Sequence, residues 1–231
     1  AHFLQNTRAT RLVFKPVDGH DGIGVDRLEK HKGSWRDFSG KRLTAAMIHA
    51  RTLDANQPRW MFQQVIDNHP KIQTLSGARG LQTIRVRTAI NNAGEPEIIG
   101  ALLRLISGEN AYDNFREGRT GNLLAILDPS NGSIVEVDGS CADYHEHISV
   151  THHPVTKQPL IGFSIPLWEE VQTVTLRAAK SFLPLRTIGW DIAVTSSGPV
   201  FIEGNLTWGT RNRERDVYEY LMKLCNDGAK E

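Results

Sequence analysis

The chain has 231 residues, of which 39% are apolar and 23% charged, and its 27 basic and 26 acidic residues leave a net charge of +1. This balance is typical of a soluble globular protein and gives no electrostatic reason to expect a nucleic acid or an anionic membrane as partner. No apolar run approaches the roughly 20 residues of a membrane-spanning helix. Because the first residues also lack the apolar core of a signal peptide, we expect a cytoplasmic protein.

The N-terminal part of the chain predicts a small sheet. An apolar, β-rich run at Arg11–Val17 and a shorter run at 25–29 flank the glycine-rich stretch at 18–24, a pattern that predicts a hairpin. Apolar residues recur at helical spacing over Lys41–Leu53. The run WMFQQVI at 60–66 predicts a further strand.

The middle of the chain is rich in predicted strands. A polar, glycine-rich segment at 108–122 separates two of them, and we expect it to be a mobile loop rather than a packed element. The predicted strands are 81–91, 98–106, 123–127 and 133–137.

The C-terminal third predicts a β-hairpin between two helices. Pro166 fits the first turn of a helix that ends near Phe182, and 213–225 predicts the closing helix. Strands at 187–195 and 199–203 are joined by a Ser-Ser-Gly turn. These elements predict an α+β fold with mostly antiparallel strands. The apolar face of the first helix is expected to consist of Leu167, Val171, Val174 and Ala178.

The last hairpin carries the clearest candidate metal site. Asp191 and Glu203 lie on strands joined by a tight turn, so their side chains can face each other, and Asn205 projects from the same strand face as Glu203. Two carboxylates and an amide oxygen suit Mg²⁺, which completes its octahedron with water and phosphate oxygens. An acidic pair on a hairpin is more often a solvated surface. The apolar residues around these acids favour partial burial, where unpaired carboxylates are costly.

Two basic features are candidate anion-binding groups. Lys15 precedes the glycine-rich loop and suits phosphate binding, although a lysine extending from a strand into solvent is the simpler interpretation. Arg85 and Arg87, with Arg104 on a neighbouring strand, could hold carboxylate or phosphate oxygens. The alternative is ion pairing on an exposed sheet face, which we favour for Arg87.

The histidines at 145, 147, 152 and 153 raise the question of a zinc site. They lack a partner cysteine pair and the helical HExxH arrangement. Hydrogen bonding within a loop is therefore the preferred interpretation of these residues.

In this order, Lys15 with its glycine loop, WMFQQVI, TIRVRT and GWDIAVTSSGPVFIEGN resemble the ATP-grasp superfamily. More narrowly, KPVDGHDGIGV and the D…E-x-N ending resemble the sugar-transfer-associated ATP-grasp group, a relative of the α-L-glutamate ligases. The resemblance implies two lobes of mostly antiparallel sheet with flanking helices and a nucleotide between them. Residues 1–66 would form part of the smaller lobe, and residues 67–231 the C-terminal lobe with the metal-binding hairpin.

The resemblance also implies a role for each candidate residue. Lys15 would bind the phosphates of ATP, and Arg85 and Arg104 would stabilise the transferred phosphoryl group or acyl phosphate. Two Mg²⁺ ions would be held by the metal ligands, with Glu203 bridging them. The magnesium ligands implied are Asp191, Glu203 and Asn205. The other nucleotide contacts implied are Gly19, Gly22 and Gly24 in the closing loop, Gln63, Gln64, Val65 and Ile66 at the adenine, and Asp67 at the ribose.

The sequence departs from the superfamily pattern in two ways. Gln63 stands where the superfamily often has Glu, which could alter the adenine contact. The chain also begins about ten residues before its first strand, whereas the superfamily normally has an N-terminal lobe and an earlier phosphate-binding lysine. Either the chain is a fragment, which we favour and which would bind ATP poorly by itself, or those contributions come from elsewhere.

Three functional hypotheses follow from the resemblance. The first is an ATP-dependent carboxylate–amine ligase that acts through an acyl phosphate, in the tailoring of cell-surface polysaccharide or peptide. The second is an ATP-grasp kinase that phosphorylates a hydroxyl, and the third is a non-catalytic nucleotide-binding domain. Neither the small-molecule acid and acceptor nor the oligomeric state can be inferred from the sequence.

Overall fold

A computed structural model describes residues 2–18, 24–53, 59–140, 147–209 and 215–228. The chain divides into two compact units, Ala1–Asp67 and Asn68–Glu231. Gly19 and Gly22 of the predicted glycine loop, and His145 of the histidine-rich segment, lie outside the described residues. None of the described helices has the length and apolar character that crossing a membrane requires.

The N-terminal unit contains a five-stranded antiparallel sheet with the order β4-β3-β2-β1-β5. A short helix, α1, precedes the sheet, and a second, α2, follows β4. The helices are α1 (His2–Asn6) and α2 (Ala45–Arg51). The strands are β1 (Arg11–Pro16), β2 (Asp26–His31), β3 (Ser34–Arg36), β4 (Arg42–Leu43) and β5 (Trp60–Gln64).

Buried and partly exposed side chains alternate strictly along β1, and the buried ones form part of the core of this unit. Leu12, Phe14 and Pro16 are buried, while the residues between them are only partly covered. The ring of Phe14 stacks against Trp60 at 4.4 Å and against Phe62 at 4.9 Å, measured between ring centroids. This aromatic cluster attaches β5 to β1 and leaves the side chain of Lys15 on the opposite face.

The C-terminal unit contains a seven-stranded antiparallel sheet with the order β10-β9-β8-β7-β6-β11-β12. Its helices are α3 (Pro70–Ser76), α4 (Trp168–Ser181) and α5 (Arg215–Gly228). Its strands are β6 (Thr83–Ile90), β7 (Pro96–Leu105), β8 (Leu123–Leu127), β9 (Ile134–Ser140), β10 (His147–Ser149), β11 (Thr187–Thr195) and β12 (Gly198–Asn205).

The first face of this sheet packs against α3 and α4 and forms the main core. Ile84, Leu103 and Ile192 are completely buried there, together with Val171 of α4. The apolar face of α4 was expected to consist of Leu167, Val171, Val174 and Ala178. Val171 is buried as expected, and Leu167 and Ala178 pack partly buried against the core. The other buried side chains of the helix are Trp168, Thr175 and Ala179, so the buried face is centred one residue further along than expected.

The second face is also covered, which corrects two expectations. Arg87 was expected on an exposed sheet face, but only 3% of its surface is accessible. Segment 108–122 was expected to be a mobile loop rather than a packed element. It contains a short 3-10 helix (Arg116–Gly118) and buries Phe115 against Leu102 and Leu124. Polar and glycine content was a poor guide here because the segment is held by side-chain hydrogen bonds.

Helix α5 lies on the second face as well. A Cβ at Gly100 of β7 would come within 2.9 Å of Val217, so the glycine allows the helix to approach the strand closely. The hydroxyl of Tyr220 donates a 2.6 Å hydrogen bond to Glu97. Burial and then this hydrogen bond raise the pKa of Tyr220 to about 12, so the phenol remains protonated at neutral pH.

His153 organises the segment that follows β10. Its ring is completely buried, its Nδ1 accepts hydrogen bonds from the N–H groups of Val155 and Thr156, and its Nε2 lies 2.9 Å from the carbonyl oxygen of Ile106. Since Nδ1 accepts, Nε2 carries the proton and donates it to that carbonyl. The preferred loop hydrogen-bonding role is therefore confirmed for this histidine.

Burial lowers the pKa of His153 from the ordinary value of 6.5. The unfolded chain therefore takes up a proton before the folded chain does, so this histidine's contribution to stability is complete above pH 6.5 and is lost as the pH falls below it. We expect His153→Gln, which keeps a donor and an acceptor but does not titrate, to show a smaller loss of thermal stability between pH 7 and 5 than the unsubstituted chain. Melting curves across this range measure the difference.

His152→Gln is the matched control, because His152 is exposed and adjacent in sequence. An equal pH dependence in the unsubstituted chain and in His153→Gln would contradict the assignment of a buried neutral imidazole.

Candidate functional site

The register of four strands places acidic and basic side chains in one row across the second face of the larger sheet. Asp191 on β11 pairs with Glu203 on β12 and with Arg85 on β6. Arg85 pairs in turn with Leu102 of β7, so Arg104, two residues further along, projects from the same face. The hairpin therefore brings the two carboxylates opposite each other, with two arginines beside Asp191.

Asp191 is enclosed by these arginines. Nε of Arg85 donates a short hydrogen bond to Oδ1 of Asp191, and Nη2 donates to Oδ2 at 3.0 Å. Nη1 of Arg104 donates to the same Oδ2 at 2.9 Å. Only 3% of the Asp191 surface is accessible. Burial by itself would raise the pKa of this carboxyl group, but the hydrogen bond from Arg85 and the charges of both arginines lower it overall.

A β-bulge in the hairpin sets the direction of Glu203 and Asn205. Asp191 pairs with Glu203 but Ile192 pairs with Phe201, so β12 has one extra residue, Ile202, at this point. Glu203 is exposed, and its Oε1 accepts a 3.3 Å hydrogen bond from Nδ2 of Asn205. The same amide group donates to the carbonyl oxygen of Gly189, also at 3.3 Å. The two candidate ligands thus touch each other at the accessible end of the row.

The residues at this end of the row have the chemistry of an incomplete Mg²⁺ site. Glu203 lies opposite Asp191 in the hairpin, and none of the ion pairs among the described residues neutralises Glu203. Each oxygen of Asp191 has two lone pairs, so the arginine contacts do not exhaust its capacity. Carboxylate and amide oxygens with room for water and phosphate suit Mg²⁺. In the described part of the chain, no group of three His, Cys, Asp or Glu side chains could hold a metal ion. The third protein ligand of the proposed site is therefore the amide oxygen of Asn205.

A tryptophan closes the site on the Asn205 side. The guanidinium carbon of Arg87 lies 5.4 Å from the ring centroid of Trp208, a cation–π distance. A Cβ at Gly189 would come within 3.1 Å of the same indole. Glycine at position 189 therefore allows the segment after β12 to fold back over β11 and cover Arg87.

The predicted nucleotide contacts of the N-terminal unit lie along β1 and β5. Lys15 is partly exposed and pairs with Met61, and Gln63 and Gln64 are exposed at the end of β5. Gly24 has a φ of +76°, and a Cβ there would come within 3.1 Å of Pro16, so this end of the glycine loop requires glycine. Val65 and Ile66 follow β5 and are half-buried.

Asp67, the predicted ribose contact, already has ionic partners. Arg11 donates a short hydrogen bond to its carboxylate, and a second guanidinium, that of Arg27, lies 3.7 Å from it. Because Asp67 is well exposed, these ion pairs leave part of its carboxylate accessible to solvent.

Sequence reasoning missed two residues that contact the charged row. Asp113 in segment 108–122 is buried, and its Oδ2 accepts hydrogen bonds of 2.6 Å from both the N–H and the hydroxyl of Thr83. Thr83 lies two residues before Arg85 on the same strand face. Period-2 alternation could have placed Thr83 in this row, but nothing local to Asp113 indicates a contact with a strand 30 residues earlier.

The described C-terminal unit also has a groove of about 510 Å³ that is away from this row. Its wall includes Pro70, Leu75 and Phe163, so it lies at α3, on the first side of the sheet. None of the predicted site residues lines this groove. Its volume alone gives no reason to place the chemistry there.

Replacing Asp191 tests whether the row is a buried ion-pair network. Removing a carboxylate from between two largely buried guanidinium groups typically costs about 3 to 5 kcal/mol. We expect Asp191→Ala to lower the free energy of unfolding by about 3 kcal/mol, measured by urea denaturation.

Glu203→Ala is the matched control, because Glu203 occupies the paired position in the hairpin but is exposed. Its effect should stay below about 1 kcal/mol. Equal effects of the two substitutions would contradict the buried network.

No curated protein matches the chain. The family described as sugar-transfer associated ATP-grasp matches residues 2–214, a range that includes β1 and the complete β11–β12 hairpin. The chain belongs to the sugar-transfer associated ATP-grasp family.

Proposed function

We propose that the chain is the ATP- and Mg²⁺-dependent part of a ligase that activates a carboxylate as an acyl phosphate and joins it to an amine or a similar nucleophile. Membership of the ATP-grasp family indicates an ATP-dependent enzyme of ligase type. The observation that carries the finer proposal is the pairing of Asp191 with Glu203 across the hairpin, with Asn205 beside them.

Magnesium held by Glu203, Asn205 and Asp191 would neutralise phosphate charge and so supply charge stabilisation during transfer. The protein's own contribution is to hold these oxygens in place before ATP arrives. Asp191 is kept ionised by Arg85 and Arg104, and the bulge directs Glu203 toward solvent. Oxygen donors that already lie together require little rearrangement on binding, which favours catalysis by positioning.

Arg85 and Arg104 are proposed to stabilise the transferred phosphoryl group as well. A guanidinium group has five N–H donors, and the hydrogen bonds to Asp191 use two on Arg85 and one on Arg104. The donors that contact neither Asp191 nor Thr83 are available for an anion at the partly accessible edge of the row. Attack of the substrate carboxylate on the γ-phosphorus would release ADP, and attack of the amine on the acyl phosphate would release phosphate.

The N-terminal unit is proposed to contribute nucleotide contacts of its own. Lys15 has a partly exposed ammonium group that is suited to a phosphate, and the glycine loop 19–24 would close over the phosphates. The exposed ends of Gln63 and Gln64, with the backbone of Val65 and Ile66, would contact adenine, and Asp67 the ribose.

ADP release with Mg²⁺ and a panel of amino and hydroxy acids tests this proposal. A ligase predicts release that depends on both an acid and an amine, with a new amide in the products. A stable phosphorylated hydroxyl would instead support a kinase. The absence of release with every acid, despite ATP binding, would support a non-catalytic nucleotide-binding domain.

Glu203→Gln separates charge from shape in the metal site. The substitution removes the exposed negative charge while keeping the size of the side chain, so we expect ADP release to fall by about 100-fold. Thermal stability should change little because the side chain is exposed. Steady-state ADP release and melting curves measure the two effects.

Glu95→Gln is the matched control, since Glu95 is an exposed glutamate that pairs with Lys180 in the same unit. If Glu203→Gln and Glu95→Gln retained equal activity, the proposed role of Glu203 in metal binding would be wrong.

A further inference from the structure

We propose that Asp113, acting through Thr83, is a positioning residue that holds the guanidinium group of Arg104 against Asp191. The expected effect on turnover rests on the proposed function, whereas the contacts themselves are independent of any ligand. Asp113 lies in segment 108–122, which the predicted catalytic roles do not use.

The contacts form a continuous chain from the loop to the charged row. Oδ2 of Asp113 accepts hydrogen bonds from the N–H and the hydroxyl of Thr83, both at 2.6 Å. The same hydroxyl oxygen lies 3.5 Å from Nη1 of Arg104, a long contact, and Nη1 donates to Oδ2 of Asp191 at 2.9 Å. Because the hydroxyl donates its hydrogen to Asp113, its lone pairs face Arg104.

The charge of Asp113 acts on Arg104 as well. Burial by itself would lower the pKa of Arg104, but the charges of Asp191 and then Asp113 raise it overall. Arg104 acts on Asp113 in return. Burial raises the pKa of Asp113, and the charge of Arg104 is the largest influence that opposes this rise. Arg104 therefore lies between two carboxylates and interacts favourably with both.

Segment 108–122 folds in a way that delivers Asp113 to this place. Asn122 is completely buried, and its amide group donates 3.0 Å hydrogen bonds to the carbonyl oxygens of Tyr112 and Asn114, the residues on either side of Asp113. Its Oδ1 accepts from Nδ2 of Asn110 at 2.8 Å. One buried amide side chain thus holds both neighbours of Asp113.

Phe115 provides a second anchor for the segment. It packs with Leu102 and Leu124. Leu102 lies two positions before Arg104 on β7, and Leu124 is the residue of β8 that pairs with Arg104. The loop is therefore attached to the sheet beside Arg104 by apolar contacts and by hydrogen bonds. Burying a carboxylate is costly, and here it supplies an acceptor and a negative charge behind the side chain that contacts Asp191.

Asp113→Asn tests the role of the charge. An asparagine oxygen can still accept from Thr83, so the fold should persist while the attraction for Arg104 is lost. We expect kcat for ADP release to fall about tenfold with a change in the KM for MgATP of less than about twofold, because positioning affects the transfer step more than binding. An unchanged kcat would overturn the proposal, and so would a KM that rises in proportion to the fall in kcat.

Thr83→Val and Thr83→Ser form the matched pair. Valine removes the hydroxyl between Asp113 and Arg104 and should lower kcat as Asp113→Asn does, whereas serine keeps the hydroxyl and should retain nearly full activity. A purely structural role predicts that kcat follows melting temperature across the three variants. Equal activity of the valine and serine variants would also overturn the proposal.

The side-chain ¹H–¹⁵Nε NMR signal of Arg104, assigned by its loss in Arg104→Lys, gives a readout that does not need turnover. We expect Asp113→Asn and Thr83→Val to shift this signal toward that of a solvent-exposed arginine, and Thr83→Ser to leave it in place. If the unsubstituted chain releases no ADP but the signal shifts as expected, the proposed function falls and the positioning role stands. If the signal does not shift, the positioning role falls whatever the turnover.

Discussion

The carboxylate of Asp191, buried between two arginines, is the constraint on which the second face of the larger sheet depends. A buried carboxylate without partners would be neutralised or would destabilise the fold. Arg85 and Arg104 supply three hydrogen bonds to it and keep it ionised. Their own burial is tolerable only because that negative charge is present, so the three side chains stabilise one another.

The covering elements of this face follow from the same requirement. Segment 108–122 brings Asp113 to the far side of Arg104, and Phe115 excludes solvent from that side. At the other end, Trp208 stacks on Arg87, and glycine at position 189 makes room for the indole ring. Glu203 and Asn205 remain at the accessible edge, where a cation with its own water and phosphate ligands can be accommodated. The interior of the row is thereby kept rigid while one end stays open.

Much of the fold could be predicted from sequence because its strands are strongly patterned and joined by short turns. The α+β class with mostly antiparallel strands is confirmed, and the predicted ends of β8 and β11 agree with the structure. The pairing of Asp191 with Glu203 followed from a tight turn between two short strands. The prediction of the buried face of α4 was less accurate. Amphipathic spacing favours Val174 over Thr175, but the hydroxyl of Thr175 can be buried because it donates a hydrogen bond to the carbonyl oxygen of Val171.

The parts that could not be predicted depend on contacts between distant segments. Arg85, Arg104 and Asp191 were each recognised as candidates, but their mutual ion pairing requires the strand order β7-β6-β11, which local pattern does not specify. The burial of Arg87 and the packing of segment 108–122 depend on Trp208 and Asn122, whose roles appear only in three dimensions. The assignments of Lys15, Gln63 and Asp67 to nucleotide contacts stay predictions.

Calorimetric titration of ATP into the chain, with and without Mg²⁺, tests whether the hairpin edge is a magnesium–nucleotide site. We expect Mg²⁺ to strengthen ATP binding by at least about tenfold, equivalent to roughly 1.4 kcal/mol. We also expect this gain to disappear when Glu203 is replaced by glutamine. Equal ATP affinity with and without Mg²⁺, or a gain that is the same in both proteins, would contradict the proposed magnesium site.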